Sequence, residues 1–77
     1  MNLETLPVGA SARIDSLQGG RGFLSHVREA GLELGMIVRK EHQEEAGPVM
    51  IQCGPHRIAL GRGIARRIFV QELHDQQ

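Results

Sequence analysis

The sequence has little aromatic surface and no excess of either charge. It contains two Phe, no Trp and no Tyr, and nine Lys and Arg balance nine Asp and Glu. Proteins that bind nucleic acid take much of their affinity from an excess of basic residues, and those that bind single strands also stack bases on aromatic rings. The composition therefore argues against nucleic acid as a partner.

Cysteine and long apolar runs are also scarce. Cys53 is the single cysteine, so it has no internal disulfide partner, and small domains without disulfides are typical of reducing compartments. No stretch approaches the roughly 20 apolar residues that span a bilayer. The first residues, from Met1 to Val8, include Glu4 and lack the basic and apolar regions of a secretory signal. We therefore expect a cytoplasmic protein without direct membrane insertion.

The length sets the scale of the fold. A chain of 77 residues has room for one domain with a thin core, since small domains leave much of their surface in water. The ten glycines divide the chain into short pieces, which is typical of short strands and turns. We expect a single domain over residues 1–77, with residues 72–77 as a frayed, polar tail.

Alternation of apolar and polar residues predicts the strands. From Val8 to Leu17, Val8, Ala10, Ala12 and Ile14 share one parity, which is the period of a half-buried strand. Further strands are predicted at 36–42, 49–53, 57–60 and from residue 68 onward. Lys40 continues the inward parity of its strand, so we expect it either at the rim of the core or with its amine extended to solvent.

A change of period predicts one short helix. Phe23, Val27 and Ala30 fall at helical spacing, which places a helix at 22–30. Gly31 has the position of a left-handed helix stop, and Leu32 can fold back onto Val27. Residues 61–66 can form a helical turn. Together these segments predict a mainly β fold: a small, closed, SH3-like β-barrel of about five strands, with a helix after the first strand and a helical turn before the last.

Four segments carry a resemblance to a known family. The run from His26 to Gly35, the Gly47–Ile51 strand, the Arg57–Leu60 strand and the Ile64–Val70 segment, in this order and spacing, are together similar to the FeoA family of accessory proteins for bacterial ferrous-iron transport. The likeness runs from about residue 3 to residue 70. It departs from the family where Leu34 replaces a usual Pro, where Ala30 replaces a frequent Leu, and at Pro55.

The resemblance implies a function that does not involve catalysis. FeoA-like proteins are small cytosolic SH3-like barrels associated with the FeoB-type membrane transporter, which carries a cytosolic GTP-binding domain, so we expect a regulator that binds that protein and needs no cofactor. The residues agree, because no nucleophile stands beside a base with an orienting acid and no paired carboxylates are framed by apolar residues. We therefore predict no catalytic residues.

The segment Cys53-Gly54-Pro55-His56 suggests an alternative. Cys-x-x-His spacing can supply half of a metal site, which usually needs about four ligands. No second pair stands out among His26, His42 and His74. The alternative function is thus a transition-metal-binding or metal-sensing domain that uses Cys53 and histidines, and the competing interpretation makes Cys53 a small core residue.

Two groups of residues are candidates for binding a partner. Arg57, Arg62, Arg66 and Arg67 form a basic cluster, which is either a solvated face balanced by Glu41, Glu44 and Glu45 or a docking face for an acidic partner. A second group has outward strand parity and would mark an interface if its members adjoin. The candidate partner-binding residues are Ile37, Met50, Arg62, Arg66, Arg67 and Phe69.

Overall fold

The protein is built on one antiparallel sheet with two short helices. The computed structural model describes residues 1–74. Its elements are β1 (Ser11–Leu17), α1 (Arg21–Glu29), β2 (Ile37–Gln43), β3 (Val49–Cys53), β4 (His56–Leu60), α2 (Arg62–Ala65) and β5 (Ile68–Leu73). The five strands are ordered β4-β3-β2-β1-β5, which confirms the predicted mainly β class. Within residues 1–74, no helix is both long enough and apolar enough to cross a membrane.

The sheet is open rather than closed. Its order places β4 and β5 at opposite edges, and the described residues contain no ladder between them, so the expected closure is wrong. The outer edge of β5 is instead covered by the first residues of the chain. Asn2 forms a bridge with Phe69, the Leu3 amide donates to the Ile68 carbonyl at 3.0 Å, and the Val70 amide donates to the Met1 carbonyl at 2.9 Å. This covering removes the free strand edge along the first half of β5, from Ile68 to Val70.

Two predicted boundaries differ from the structure. β1 begins at Ser11 rather than Val8, because the chain turns at Gly9 with φ +93°, and Val8 is 59% exposed. β5 continues through Leu73, so the first two residues of the predicted frayed tail belong to a strand. Residues 75–77 of that tail lie outside the described residues.

The core follows the predicted alternation. Leu3 and Leu6 are fully buried beside the inward-facing strand residues. The other fully buried aliphatic side chains are Ala12, Ile14, Val27, Leu32, Val38, Val49, Ile51, Leu60, Ala65 and Ile68. The N-terminal segment is therefore part of the core and does not lie loosely outside it.

Lys40 lies in this core and is only 2% exposed. Its amine does not extend to solvent, so that expectation is wrong, whereas the expected position at the rim of the core fits, because Lys40 lines an open groove together with Glu4 and Arg62. The Nζ atom donates to the Glu4 carbonyl at 2.7 Å and to the Leu6 carbonyl at 2.8 Å. Burial lowers the pKa of this ammonium, and the nearby Glu4 carboxylate opposes that change. Lys40 therefore fastens the N-terminal segment to β2.

We expect Lys40→Met to destabilise the fold. The variant keeps the apolar stem but leaves two carbonyl groups without their donor, which costs about 1–3 kcal/mol for each buried unsatisfied group. Urea unfolding followed by circular dichroism measures this change in the free energy of unfolding. Arg39→Met is the matched control at the exposed neighbouring position of β2. Because Arg39 makes only a long, exposed hydrogen bond of 3.4 Å to the Gly9 carbonyl, this variant should stay within about 0.5 kcal/mol of the wild type. Equal stability of the two variants would contradict the fastening role of Lys40.

Candidate functional site

An open apolar groove lies where β1, α1 and the loop before β2 meet. It has a volume of about 500 Å³ and is lined by Leu17, Leu24, Arg28, Leu32, Glu33 and Leu34; we call it the leucine groove. Leu24 is 36% exposed and Leu34 is 60% exposed. Exposed aliphatic side chains that gather in one concave surface are typical of a binding site.

The end of α1 places two of the leucines. Gly31 has φ +94°, its amide donates to the Arg28 carbonyl at 2.9 Å, and the Leu32 amide donates to the Val27 carbonyl at 3.1 Å. This pair of hydrogen bonds is a Schellman motif, as the sequence predicted. The motif turns the chain sharply, so that Leu32 is buried while Leu34, two residues later, is exposed.

The start of α1 fixes which face of the helix lines the groove. A Cβ atom at Gly19 would overlap the ring of Phe23, so glycine allows that ring to pack closely under the incoming chain. Phe23 and Val27 are then the buried side of the helix. Leu24 and Arg28, four residues apart, share the adjacent face and reach the groove.

The apolar residues predicted to face outward do not form one patch. Ile37 is 50% exposed and pairs with Arg13, whereas Met50 pairs with His42, which is five residues further along β2 and therefore about 16 Å away along the strand. Phe69 pairs with Ser16 across β1 and bridges to Asn2. The pairing register therefore separates Ile37, Met50 and Phe69.

The predicted basic cluster is divided between structural and exposed positions. Arg62 Nη1 lies 3.3 Å from Glu4 Oε2, and Arg66 Nε lies 2.9 Å from Glu4 Oε1. Arg62 also donates to the backbone carbonyls of Gly47, at 3.2 Å, and Glu44. Arg62 and Arg66 thus help to hold the N-terminal segment.

The other two arginines of the cluster lie elsewhere. Arg57 pairs with Glu41 at 3.0 Å, as the balanced-face interpretation predicted for one of its acids. Arg67 is exposed, and its carbonyl accepts the Gln18 amide at 2.9 Å. The backbone of Arg67 therefore lies next to Gln18 at the end of β1, and Arg67 does not line the leucine groove.

Cys53 and His56 are direct partners across the hairpin between β3 and β4. Gly54 has φ +60°, and the ring of Pro55 fixes a negative φ, which together give the dihedral pattern of a II′ turn. Cys53 is half-buried against the core, and with His56 and Met36 it lines a second groove of about 560 Å³. In the part of the chain that the structure describes, no group of three or more His, Cys, Asp or Glu side chains could hold a metal ion.

The leucine groove and the role of Glu4 were not predicted from the sequence. In the sequence, Leu24 lies beside the apolar stripe of the helix and Leu34 lies in a tight turn. Both positions indicate exposed side chains, but no local pattern shows that the two side chains lie close together. Glu4 gave no signal, because its partners Arg62 and Arg66 are 58 and 62 residues away along the chain.

An open sheet of five antiparallel strands, with a helix after β1 and a helical turn before β5, defines the class as a small SH3-like domain. The sequence model of the FeoA domain matches residues 1–72. The chain therefore belongs to the FeoA family, the accessory proteins of ferrous iron transport.

Three solved structures resemble the chain. An iron uptake regulatory protein (FeoA) is 26% identical, with a TM-score of 0.89, over 95% of this chain and 97% of that one. The FeoA of Stenotrophomonas maltophilia in complex with zinc, described as a prokaryotic SH3 domain protein, is 29% identical, with a TM-score of 0.72, over 92% and 89%. Iron(II) transport protein A of Clostridium thermocellum is 24% identical, with a TM-score of 0.85, over 92% of this chain and 44% of that one. No curated protein matches the chain by sequence.

We expect the stability of the protein to fall in acid partly through Glu4. The hydrogen bond from Arg66, followed by that from Arg62, lowers the pKa of the Glu4 carboxyl against the opposing effect of desolvation. A lowered pKa in the folded state adds stability above the unfolded pKa, about 4.3 for glutamate, and that stability is lost as the pH falls through the folded pKa. Urea unfolding measured from pH 7 to pH 2 should show a smaller fall in the free energy of unfolding for Glu4→Gln than for the wild type. Arg66→Gln should show a fall between those of the wild type and Glu4→Gln. If the free energy of unfolding falls as steeply in Glu4→Gln as in the wild type, the Glu4 carboxylate contributes nothing to the loss of stability in acid.

Proposed function

We propose that the protein is a non-catalytic regulator of ferrous iron uptake in the cytoplasm, and that it binds the cytosolic part of an FeoB-type membrane transporter that carries a GTP-binding domain. The match to the FeoA domain over residues 1–72 supports a role in this transport system. The likeness to an iron uptake regulatory protein, 26% identical, supports regulation. No cofactor is part of the proposal.

The leucine groove is the observation that carries this proposal. The chain is only 77 residues long, yet it leaves Leu24 and Leu34 at the surface of one groove instead of adding them to its thin core. Such a surface is unfavourable in water and is retained where a partner covers it. Binding a protein is therefore the function that this surface supports best.

The groups whose pKa values are shifted, Glu4, Arg13, Lys40 and Arg66, have structural roles, which favours binding over catalysis. Structural contacts account for the shifted pKa values of Glu4 and Arg66, which pair with each other, and of Arg13, which pairs with Asp15. Burial beneath the N-terminal segment accounts for that of Lys40. These groups are committed to holding the fold, and none of them lines the leucine groove.

We expect saturable binding between this protein and the purified GTP-binding domain of the transporter. Isothermal titration calorimetry should give a Kd of about 10 µM or tighter, the range of a small transient interface. The matched control is an unrelated GTP-binding domain. Absence of saturable binding at concentrations of about 100 µM, with both proteins folded, would contradict the proposed partner.

A second candidate function is transition-metal binding by Cys53 and His56. Their direct pairing across the hairpin puts both side chains on the same face of the sheet, and a thiolate with an imidazole is a ligand pair that zinc prefers. The 29% identical FeoA of Stenotrophomonas maltophilia was solved in complex with zinc. In this candidate function, the hairpin supplies two ligands and water or a partner completes the site.

Zinc titration followed by NMR tests this second candidate. We expect saturable shifts at Cys53 and His56 that disappear in Cys53→Ala, because the thiolate is the stronger ligand. His42→Ala, which removes an exposed imidazole on β2, is the control and should leave the shifts in place. Shifts of equal size in wild type and Cys53→Ala would overturn the metal site.

A further inference from the structure

We infer that Met36, Cys53 and His56 together form a site for a soft metal ion of the Cu(I) class. This inference rests on the second candidate function, transition-metal binding by the β3–β4 hairpin, and adds to it a third ligand and the kind of metal. The three side chains line one groove, whose other walls include Ala30 and Gly31 at the end of α1. A thioether, a thiol and an imidazole therefore come from two distant segments of the chain and meet at one end of the core.

The hairpin holds two of the ligands in register. Cys53 and His56 are direct partners between β3 and β4, and directly paired side chains lie on one face of a sheet with Cβ atoms about 4.5–5.5 Å apart. A sulfur and an imidazole nitrogen at that separation can reach the same ion, because metal–ligand bonds of these atoms are about 2.0–2.3 Å long. Cys53 is half-buried against the core and His56 is exposed. The pair is thus both held by the fold and open to an ion from solvent.

The turn before β2 places the thioether. The Ile14 amide donates to the Met36 carbonyl at 2.9 Å, which fixes the backbone of Met36 beside β1, and the Met36 side chain packs against the core. The Glu33 amide donates to Met36 Sδ at 3.1 Å. Because a thioether sulfur has two lone pairs, this hydrogen bond restrains the side chain and leaves one lone pair for a metal. The third ligand is therefore oriented before the ion arrives.

The chemistry of the three ligands selects the metal. Thiolate and thioether sulfur atoms favour Cu(I), and imidazole also suits copper. Zinc takes its ligands from Cys, His and carboxylates, usually four of them in a structural site, and non-haem Fe(II) sites combine two histidines with a carboxylate. Among the described residues, no carboxylate lines this groove. Two sulfur atoms and one imidazole therefore favour Cu(I) over zinc and Fe(II).

The charge beside the groove agrees with a monovalent ion. Arg57 also borders the groove, and its guanidinium pairs with Glu41 at 3.0 Å. The ion pair leaves little net charge at this wall, and the remaining repulsion by the guanidinium is smaller for a monovalent ion than for a divalent one. A Cu(I) ion bound to one thiolate has no net charge and suits a half-buried, largely apolar groove.

Anaerobic titration with Cu(I), supplied as its bicinchoninate complex, tests the three ligands by competition. We expect Met36→Leu and His56→Ala each to weaken Cu(I) binding by at least about tenfold, since even outer-shell partners of a metal are worth about 10–100-fold. Met50→Leu is the matched control, because it removes a thioether from β3 at a position that pairs with exposed Ala59, and it should bind like the wild type. Equal affinity of Met36→Leu and the wild type would overturn the site, because an isolated thiol binds copper without help.

Spectroscopy gives a readout that a merely structural Met36 would not change. X-ray absorption at the copper edge should show two Cu–S bonds and one Cu–N bond in the wild type, and one Cu–S bond fewer in Met36→Leu. In ¹⁵N NMR spectra the amide of Glu33, which donates to Met36 Sδ, should shift when Cu(I) binds, and should stay unchanged in Met36→Leu. A copper spectrum with a single sulfur ligand in the wild type would overturn the inference.

Other metals and the transporter separate this inference from the proposed functions. If zinc shifts Cys53 and His56 while Met36 does not respond to Cu(I), the second candidate function stands and the inference is wrong. If Fe(II) displaces Cu(I) at equal concentration, the preference for a soft metal is wrong. If Cu(I) binds all three ligands but the GTP-binding domain does not bind the protein, the site stands and the proposed partner is wrong. A doubling of mass in analytical ultracentrifugation when Cu(I) is added would show a metal that bridges two chains, and would overturn the single-chain site.

Discussion

A buried ammonium holds the N-terminal segment of the chain against the sheet. Lys40 donates to the carbonyls of Glu4 and Leu6, while Arg62 and Arg66 hold the carboxylate of Glu4 from the other side. These contacts keep Leu3 and Leu6 in the core and the first residues along the edge of β5. The sheet can therefore stay open while the first half of the β5 edge is covered, and the leucine groove beside α1 is left open at the surface.

The leucine groove depends on how α1 ends. The Schellman motif at Gly31 buries Leu32 and exposes Leu34, so one backbone turn both closes the core and builds the leucine groove. Stability and binding thus draw on neighbouring residues of the same loop. The two charged residues that line the groove, Arg28 and Glu33, have no ion pair among the described residues, whereas Arg62 and Arg66 pair with Glu4 of the N-terminal segment.

Local signals predicted most of the fold, and long-range contacts set the rest. Alternation and the glycine stop gave the strands, the helix and the Leu32 contact, because these depend on residues close in sequence. The openness of the sheet, the burial of the Lys40 amine and the role of Glu4 depend on partners dozens of residues away, which no local pattern encodes. The candidate site was missed for the same reason, since Leu17, Leu24 and Leu34 come from three elements, and β-strand parity instead favoured Ile37, Met50 and Phe69, which the register keeps apart.

If the proposed function is right, the leucine groove is the surface that contacts the partner. The most direct measurement is a methyl NMR footprint of the leucine- and isoleucine-labelled protein with the GTP-binding domain of the transporter. The methyl groups of Leu17, Leu24 and Leu34 should shift and broaden most, while that of Ile37 on the outer face of the sheet should stay unchanged. Perturbation centred on Ile37 and the neighbouring strands, with the groove leucines unaffected, would contradict it.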